Sequence, residues 1–345
     1  MLATSTFWGA AVVGTGGLLA GAGSFPIKLM RKTRFEHLMF VSSLVSLLVV
    51  PWVLTLALCP HALEAYRTVD RTLLLKVNLF SVLWGVANLL CALSYLRVGF
   101  VLGGGILTGV SVSIGTVIPM VIKGSGLFKS APNLDSPSGW TVLMGVAVTL
   151  FGVFCVSLAG FGRERDANKS AGHSGNFRVG LLTATLTGIC AVGLSFSFVY
   201  GQGPIISAMK ARGAGDIGAN FAVWSVGLLG AALLCILYPA YLITKGRSWH
   251  VLSKSWPETA WFVVMGAAGS VGITLMGKGM IILGSFGASV GYGIQRSSTL
   301  LGSAGVGFVS GEWSNVTRAP RQQVTLGILV LILGVIVLGY GNSLS

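Results

Sequence analysis

The sequence predicts an all-α integral membrane protein with ten transmembrane helices, arranged as two inverted five-helix repeats. Of its 345 residues, 53% are hydrophobic and only 9% are charged, whereas soluble domains carry about 25% charged residues. Apolar stretches of membrane-spanning length recur along the chain, and the longest polar stretch falls near the middle. The low charge excludes an ordinary soluble enzyme, a disordered chain and a nucleic-acid-binding domain.

Ten stretches are long and apolar enough to cross the hydrocarbon core, which takes about 20 helical residues. Because lipid offers no hydrogen-bond partner to an exposed strand, each stretch is predicted to be a helix. The ten predicted spans run over 6–24, 37–58, 73–95, 98–121, 139–161, 177–200, 217–243, 258–277, 281–310 and 322–341.

The basic residues predict the orientation of the chain. The formal net charge is +14, but most Lys and Arg residues lie in the loops that follow odd-numbered spans. Such loops are typically cytoplasmic. We therefore expect the loop after the first span, with Lys28, Arg31, Lys32 and Arg34, to be cytoplasmic, together with the polar stretch 163–178. Both termini are then outside.

The polar stretch 163–178 is predicted to link a first repeat, residues 1–162, to a second repeat, residues 179–345. The stretches 17–25 and 188–196 share Gly, Ala, Ser and Phe at matching positions. Because each half holds an odd number of spans, the second must insert upside down, an arrangement typical of transporters with a midplane substrate site. Glycines four apart also predict close helix packing; these pairs are Gly17/Gly21, Gly105/Gly109 and Gly287/Gly291.

The ionisable residues argue against catalysis within the membrane. All 9 acidic residues and all 4 histidines lie in predicted loops or at span ends. The spans therefore contain no paired carboxylates for hydrolysis and no ligand set for a metal. The sequence predicts a protein that is not an enzyme and that carries no cofactor or metal.

Arg296 is the one basic residue near the middle of a predicted span, where a charge is costly and marks a candidate functional site. Its guanidinium has five donors suited to a carboxylate, a phosphate or paired hydroxyls. We predict that Arg296 and the adjacent Gln295 bind substrate, with Tyr292 and Ser298 as weaker candidates. The alternative is a structural arginine that pairs with backbone carbonyls or with an acid at a span end.

Trp84 and Asn88 are four residues apart and share one face of the third span. An aromatic ring beside an amide is a common way to bind a sugar, because the ring stacks on C–H groups and the amide bonds hydroxyls. The alternative is an asparagine that packs between helices and a tryptophan that faces lipid.

Four short motifs resemble those of the L-rhamnose–proton symporter family, a ten-helix branch of the drug/metabolite transporter superfamily. They are Phe25-Pro-x-Lys28 with Arg34-Phe-Glu36, Pro51-Trp52, Trp84-Gly-Val-Ala-Asn88, and Gly311-Glu-Trp-Ser-Asn315. The resemblance implies ten helices in inverted repeats, a multi-pass protein of the bacterial inner membrane, and sugar uptake coupled to protons. In this family the ninth helix is rich in aromatic residues and has an acid near its start, whereas this chain has Arg296.

The leading hypothesis is a secondary transporter that takes up a monosaccharide by alternating access. The substrate would be a sugar like L-rhamnose or, because of Arg296, a sugar acid, and the coupling ion a proton or another ion. Glu36, Asp216 and Glu312 are the candidate proton-coupling residues. The expected partners are this small polar substrate, the coupling ion and the lipid bilayer, with no nucleic acid. One alternative is an exporter of amino-acid-like or drug-like metabolites, and another is a membrane sensor or scaffold.

Overall fold

The computed structural model describes residues 2–23, 25–98, 100–121, 134–167, 177–284, 287–314 and 316–344. Within these ranges all regular structure is helical, as the hydrophobic spans predict. The α-helices are α1 (Leu2–Ala22), α2 (Phe35–Ser43), α3 (Val50–Leu58), α4 (Ala62–Thr68), α5 (Arg71–Val98), α6 (Phe100–Val121), α7 (Pro137–Ala167), α8 (Phe177–Ala191), α9 (Gly193–Lys210), α10 (Asp216–Gly227), α11 (Leu229–Lys245), α12 (His250–Lys254), α13 (Trp256–Ile282), α14 (Tyr292–Val309) and α15 (Arg318–Ser343).

Eight helical segments of the described ranges are long and apolar enough to cross a membrane, and a ninth is obtained if the bent pair α10–α11 is one span. The chain is therefore a polytopic membrane protein. The predicted span 281–310 is not among the described segments that are long and apolar enough to cross a membrane. Its described part contains the end of α13, the π-helical turn Gly287–Gly291 and α14, and the polar residues 295–299 lower the hydropathy of α14.

The described residues cluster into two units, each assembled from separate parts of the chain. Unit 1 comprises Met1–Ala22, Ala87–Val192 and Lys278–Ser345. Unit 2 comprises Gly23–Val86 and Gly193–Gly277. Both units draw helices from the two predicted repeats, so a unit is not a repeat. The division into residues 1–162, 163–178 and 179–345 stays a prediction, and residues 168–176 of the predicted linker lie outside the described residues.

In unit 1, α7 packs along α15 and α1 packs along α14. Gly17 and Gly21 make the second contact possible, since a Cβ atom at Gly17 would lie 2.5 Å from the carbonyl oxygen of Gln295. A Cβ at Gly21 would collide with the carbonyl oxygen of Thr299. The predicted role of this glycine pair in close helix packing is confirmed. A Cβ at Gly105 would overlap the side chain of Ser157 in α7, whereas a Cβ at Gly109 would make only ordinary van der Waals contact with Leu150.

In unit 2, α2 packs against α11, and α3 packs against α10. The predicted span 217–243 is a broken helix here, because α10 and α11 meet at Leu228 with a bend of 55°. Polar side chains bind the backbone groups at this break: Asn78 and Ser81 accept hydrogen bonds of 2.9 and 3.0 Å from the N–H groups of Gly230 and Ala231. Two backbone N–H groups that the break removes from the helical hydrogen-bond pattern are thus bonded by side chains, as a membrane interior requires.

The predicted span 177–200 also differs from the structure. The α-helix is interrupted at Val192, and α9 continues to Lys210, well beyond the predicted end. The hydrophobic pattern did not reveal this extension because Gly201, Gln202 and Gly203 resemble a loop in sequence.

Candidate functional site

Arg296 lies in the first half of α14, half-buried, in unit 1. Its Nε–H donates a 3.0 Å hydrogen bond to the hydroxyl of Tyr292, one turn earlier. The guanidinium carbon is 5.2 Å from the centre of the Tyr292 ring, a distance at which a cation is attracted to the ring face. Within the described ranges no acidic side chain forms an ion pair with Arg296. Tyr292 therefore fixes one edge of the guanidinium, while its positive charge forms no ion pair with a carboxylate of the described residues.

Tyr292 connects Arg296 to the break in the sixth predicted span. Its side chain is fully buried, and its hydroxyl donates a 3.0 Å hydrogen bond to the carbonyl oxygen of Ala191, the last residue of α8. The helix is interrupted directly after Ala191. The hydroxyl thus satisfies a carbonyl at the interruption and accepts from Arg296. Gly115 of α6 leaves space for the Tyr292 ring, because a Cβ there would overlap it.

Gln295 is buried beside Arg296 with an incompletely bonded amide. Its Nε2 donates a 3.2 Å hydrogen bond to the hydroxyl of Thr299. Its Oε1 has no hydrogen-bond partner among the described residues. A buried acceptor without a partner costs about 1–3 kcal/mol, so this oxygen is suited to accept a hydrogen bond from a ligand hydroxyl.

Ser298 and the Trp84/Asn88 pair occupy different surroundings. Ser298 is buried against α1, where a Cβ at Gly17 would lie 2.7 Å from its own Cβ. Trp84 belongs to unit 2 and Asn88 to unit 1, and both side chains are half-buried. Tyr292 and Arg296 are in direct contact and Gln295 precedes Arg296 in the same helix, and we refer to these three residues of unit 1 as the Arg296 group.

The predicted proton-coupling acids all lie near helix ends. Glu36 is in the first turn of α2, and Asp216 begins α10. Asp216 forms a 2.6 Å ion pair with Lys210, and Glu312 forms an ion pair with Arg163 at the end of α7. Both pairs leave their side chains partly solvent-accessible, where ion pairs contribute little to stability.

The motif Gly311-Glu-Trp-Ser-Asn315 follows α14, and its Glu312 and Trp313 side chains contact Arg163 of α7. Gly311 adopts a φ of +75°, which favours glycine. Trp313 is buried, stacks on Phe308 with ring centres 5.6 Å apart, and lies 5.3 Å from the Arg163 guanidinium carbon. The motif thus binds one arginine by charge and by its indole ring. Asn315 lies outside the described residues.

Glu258 is an acidic residue whose role the sequence reasoning missed. Its carboxylate accepts hydrogen bonds from the successive backbone N–H groups of Arg31, Lys32 and Thr33, at 3.0 to 3.4 Å. It also accepts one from the Thr33 hydroxyl. The sequence gives no local signal for this contact, because 225 residues separate Thr33 from Glu258.

The described part of the chain contains no candidate metal site. No group of three or more His, Cys, Asp or Glu side chains there could hold a metal ion. The chemistry that the Arg296 group offers is hydrogen bonding and charge attraction to a polar ligand. Its donors are the guanidinium N–H groups, and its acceptor is Gln295 Oε1.

Comparison with known proteins gives the family. The family model described as "L-rhamnose-proton symport protein (RhaT)" matches residues 10–344. An L-rhamnose-proton symporter of Klebsiella pneumoniae subsp. pneumoniae is 28% identical over 329 residues, which cover 92% of this chain and 93% of the relative. The L-rhamnose-proton symporters of Citrobacter koseri and Escherichia coli are each 27% identical, over 331 and 329 residues, with the same coverage.

The resemblance carried by the four motifs is confirmed by these comparisons. The family match covers nearly every described helix, including the Arg296 group and the Gly311 motif. The relatives are transporters and not enzymes. The chain belongs to the L-rhamnose-proton symport protein family.

Proposed function

We propose that this protein takes up L-rhamnose or a closely related monosaccharide together with protons, by alternating access. Family membership and the names of the relatives support proton-coupled sugar transport, and the comparisons lend no support to the exporter alternative. The structural observation that carries the proposal is the Arg296 group. A half-buried guanidinium oriented by Tyr292, preceded in the helix by Gln295, whose Oε1 has no partner among the described residues, suits a ligand with several hydroxyls.

The proposed substrate-binding residues are Trp84, Asn88, Tyr292, Gln295, Arg296 and Ser298. Tyr292 acts by orienting the guanidinium, and Gln295 and Arg296 provide hydrogen bonds. Trp84 and Asn88 are proposed to contribute an aromatic ring and an amide, in accordance with their half-buried state. Glu36, Asp216 and Glu312 are the proposed proton-coupling acids, because proton coupling needs a group that titrates between the two states of the carrier.

Ten transmembrane helices in two inverted repeats remain our proposal for the architecture. A two-fold axis that relates the two repeats pairs span 1 with span 6, span 2 with span 7, and so on up to spans 5 and 10. It therefore relates a contact between spans 1 and 9 to a contact between spans 6 and 4. Unit 1 contains both contacts, as α1 with α14 and as α8 with α6. Such an axis maps the contact of span 5 with span 10 onto itself, and α7 packs along α15.

Unit 2 supports the same symmetry with an independent pair of contacts. The axis relates a contact of spans 3 and 7 to one of spans 8 and 2. Asn78 of α5 binds Gly230 of α11. Gly266 of α13 lies against α2, where a Cβ would be 2.7 Å from the carbonyl oxygen of Ser42.

The protein is proposed to lie in the bacterial inner membrane, as a multi-pass protein with both termini outside. The family and the apolar helices support a bacterial membrane location. The excess of Lys and Arg in the loops after odd-numbered spans supports a cytoplasmic position for the stretch 163–178.

Uptake into proteoliposomes tests the proposed function. Purified protein is reconstituted, an acid-outside pH gradient is imposed, and the uptake of a panel of labelled sugars and sugar acids is measured. We expect uptake of L-rhamnose or a related sugar that stops when an ionophore collapses the gradient. Failure of the whole panel, with efflux of amino-acid-like solutes, would show that the exporter alternative is correct.

Arg296→Ala and Arg296→Lys then test the site. Loss of charged hydrogen bonds worth about 1.5–3 kcal/mol corresponds to a rise in KM of roughly 10-fold to 100-fold. Lys restores the charge but not the fixed fork of donors, so its KM should stay high. Arg178→Ala, at the exposed start of α8, is the control. Unchanged affinity in both Arg296 variants would contradict the site assignment.

A further inference from the structure

Asn220, in unit 2, has a buried side-chain amide that forms no hydrogen bond with the described residues. The side chain is 1% exposed, and neither Nδ2 nor Oδ1 has a partner in the described part of the chain. Asn78, on another helix of the same unit, shows the usual arrangement. Its Nδ2 donates to the carbonyl oxygen of Leu74 at 2.9 Å, and its Oδ1 accepts from Gly230. Asn220 therefore departs from the way in which this protein satisfies a membrane-embedded amide.

Trp224 lies one helical turn after Asn220, on the same face of α10. It is 1% exposed, and its indole N–H has no hydrogen-bond partner among the described residues. Its ring stacks on Phe198 of α9, with centres 4.7 Å apart and planes 14° from parallel. This face thus presents one amide, one indole N–H and an apolar aromatic surface.

The position of this face within α10 is defined by its neighbours. One turn after Trp224, the carbonyl oxygen of Gly227 accepts a 3.0 Å hydrogen bond from Ser197 of α9. The Trp224 and Gly227 contacts show that the face lies against α9. It also adjoins the break at Leu228, and broken helices frequently form the substrate sites of transporters. Gly277 of α13 adds to the enclosure, because a Cβ there would be 2.7 Å from Phe198 and 3.0 Å from Trp224.

We propose that Asn220 and Trp224 form a sugar subsite, an inference that rests on the proposed function. The group contains no ionisable side chain, so it suits neutral hydroxyls and not an anion. An amide can donate to one hydroxyl and accept from its neighbour on a sugar ring. The indole N–H can donate to a third oxygen, while aromatic surface stacks on C–H groups.

The closed state of this subsite fits a carrier that changes conformation. The two polar atoms of the Asn220 amide and the indole nitrogen of Trp224 are desolvated without partners among the described residues, which disfavours this state relative to one in which a ligand binds them. A sugar that satisfies these atoms in a more open arrangement of α9 and α10 would shift the population toward that arrangement.

Asn220→Leu is the principal test, measured by the KM of proton-driven L-rhamnose uptake and by the Tm of the purified protein. Leucine has similar size but cannot hydrogen-bond. We expect an unchanged or higher Tm, because an unpaired buried amide is removed. We also expect a rise in KM of about tenfold or more, because two hydrogen bonds to the sugar are lost.

Three further variants separate the explanations. Trp224→Phe keeps the stacked ring but removes the N–H, and should raise KM about threefold to tenfold, so the proposal remains testable if Asn220→Leu does not fold. Ser270→Ala removes another buried polar atom of unit 2 that has no partner among the described residues, and it should leave KM unchanged. Asn78→Leu removes a satisfied amide and should lower Tm.

The outcomes also distinguish the subsite from the proposed function. If the unaltered protein transports sugar and both Asn220→Leu and Trp224→Phe retain its KM, the subsite is wrong while the sugar transport stands. If KM rises in these two variants and not in Ser270→Ala, the subsite is supported. If the unaltered protein transports no sugar in the panel, the proposed function is wrong and the subsite falls with it.

Discussion

The hydroxyl of Tyr292 joins Arg296 to the end of α8. It accepts from the guanidinium and donates to Ala191 in a fully buried position. Tyr292→Phe keeps the ring under the guanidinium but removes both hydrogen bonds. We expect the free energy of unfolding to fall by about 1–3 kcal/mol because a buried carbonyl loses its partner.

The same variant should raise the KM for sugar, because Arg296 loses the contact that orients it. Tm and KM, measured on purified and reconstituted protein, check the two effects. Tyr340→Phe, with its 60% exposed side chain, serves as the control and should change neither quantity. An unchanged KM in Tyr292→Phe would show that Tyr292 has only a structural role.

Arg296 and Gln295 could be selected as candidates because a charged and an amide side chain in an apolar span are visible in sequence alone, and their role in substrate binding stays a prediction. The partner of Tyr292 could not be predicted. Its hydrogen bond depends on where the helix is interrupted at Val192 and on how α14 packs near that point. Asn220 was overlooked for a related reason: that its amide forms no hydrogen bond with the described residues can be seen only in the three-dimensional structure. Its spacing of four residues from Trp224 does match the spacing between Trp84 and Asn88.

At the scale of elements, the contact between α1 and α14 depends on glycine. Gly21→Ala places a Cβ against the Thr299 carbonyl oxygen, so the two helices must separate. We expect a loss of about 1–3 kcal/mol in the free energy of unfolding, as for other overpacked sites. The measurement is thermal unfolding in detergent.

Gly203→Ala is the matched control in α9. A Cβ there meets no atom within 4 Å, and alanine favours a helix over glycine by up to about 1 kcal/mol. This variant should therefore be neutral or stabilising. Equal Tm values for Gly21→Ala and Gly203→Ala would contradict the close packing of α1 on α14.

The loop after α1 is attached to the start of α13 by Glu258. Glu258→Ala removes the acceptor of three backbone N–H groups and a hydroxyl. We expect Tm to fall and the chain around residues 31–33 to become more susceptible to proteolysis, because these donors lose a charged partner. Glu64→Ala is the comparison: Glu64 pairs with His61 at the exposed surface, and its removal should have little effect on either readout.

The element boundaries show which physical signals a sequence contains. Hydrophobic length located most spans, since burial in lipid requires about 20 apolar residues. It gave no indication of the 55° bend at Leu228, because the chain stays apolar through the break. Asn78 and Ser81, whose side chains accept hydrogen bonds from two N–H groups at the break, are about 150 residues away in sequence.

At the scale of the molecule, the orientation in the membrane is open to a direct test. Ser253 and Ala211 are exposed residues in the loops after the seventh and sixth predicted spans. Cysteines at these positions, in a background with the 5 natural cysteines replaced by alanine, are labelled in intact cells with an impermeant maleimide. We expect Ala211→Cys to react and Ser253→Cys to react only after the cells are opened. The reverse pattern would invert the proposed topology.

The two-unit organisation determines the order in which the protein can be assembled during synthesis. Unit 2 ends at Gly277, whereas unit 1 begins with the first helix and includes the last. The glycine face of α1 leaves the ribosome long before α14, its partner, has been made. This early helix therefore enters the bilayer before α14, which carries Arg296, has been synthesised. Translation that stops after residue 277 would therefore yield a chain that holds all residues of unit 2, whereas unit 1 would lack α14 and α15, the packing partners of α1 and α7.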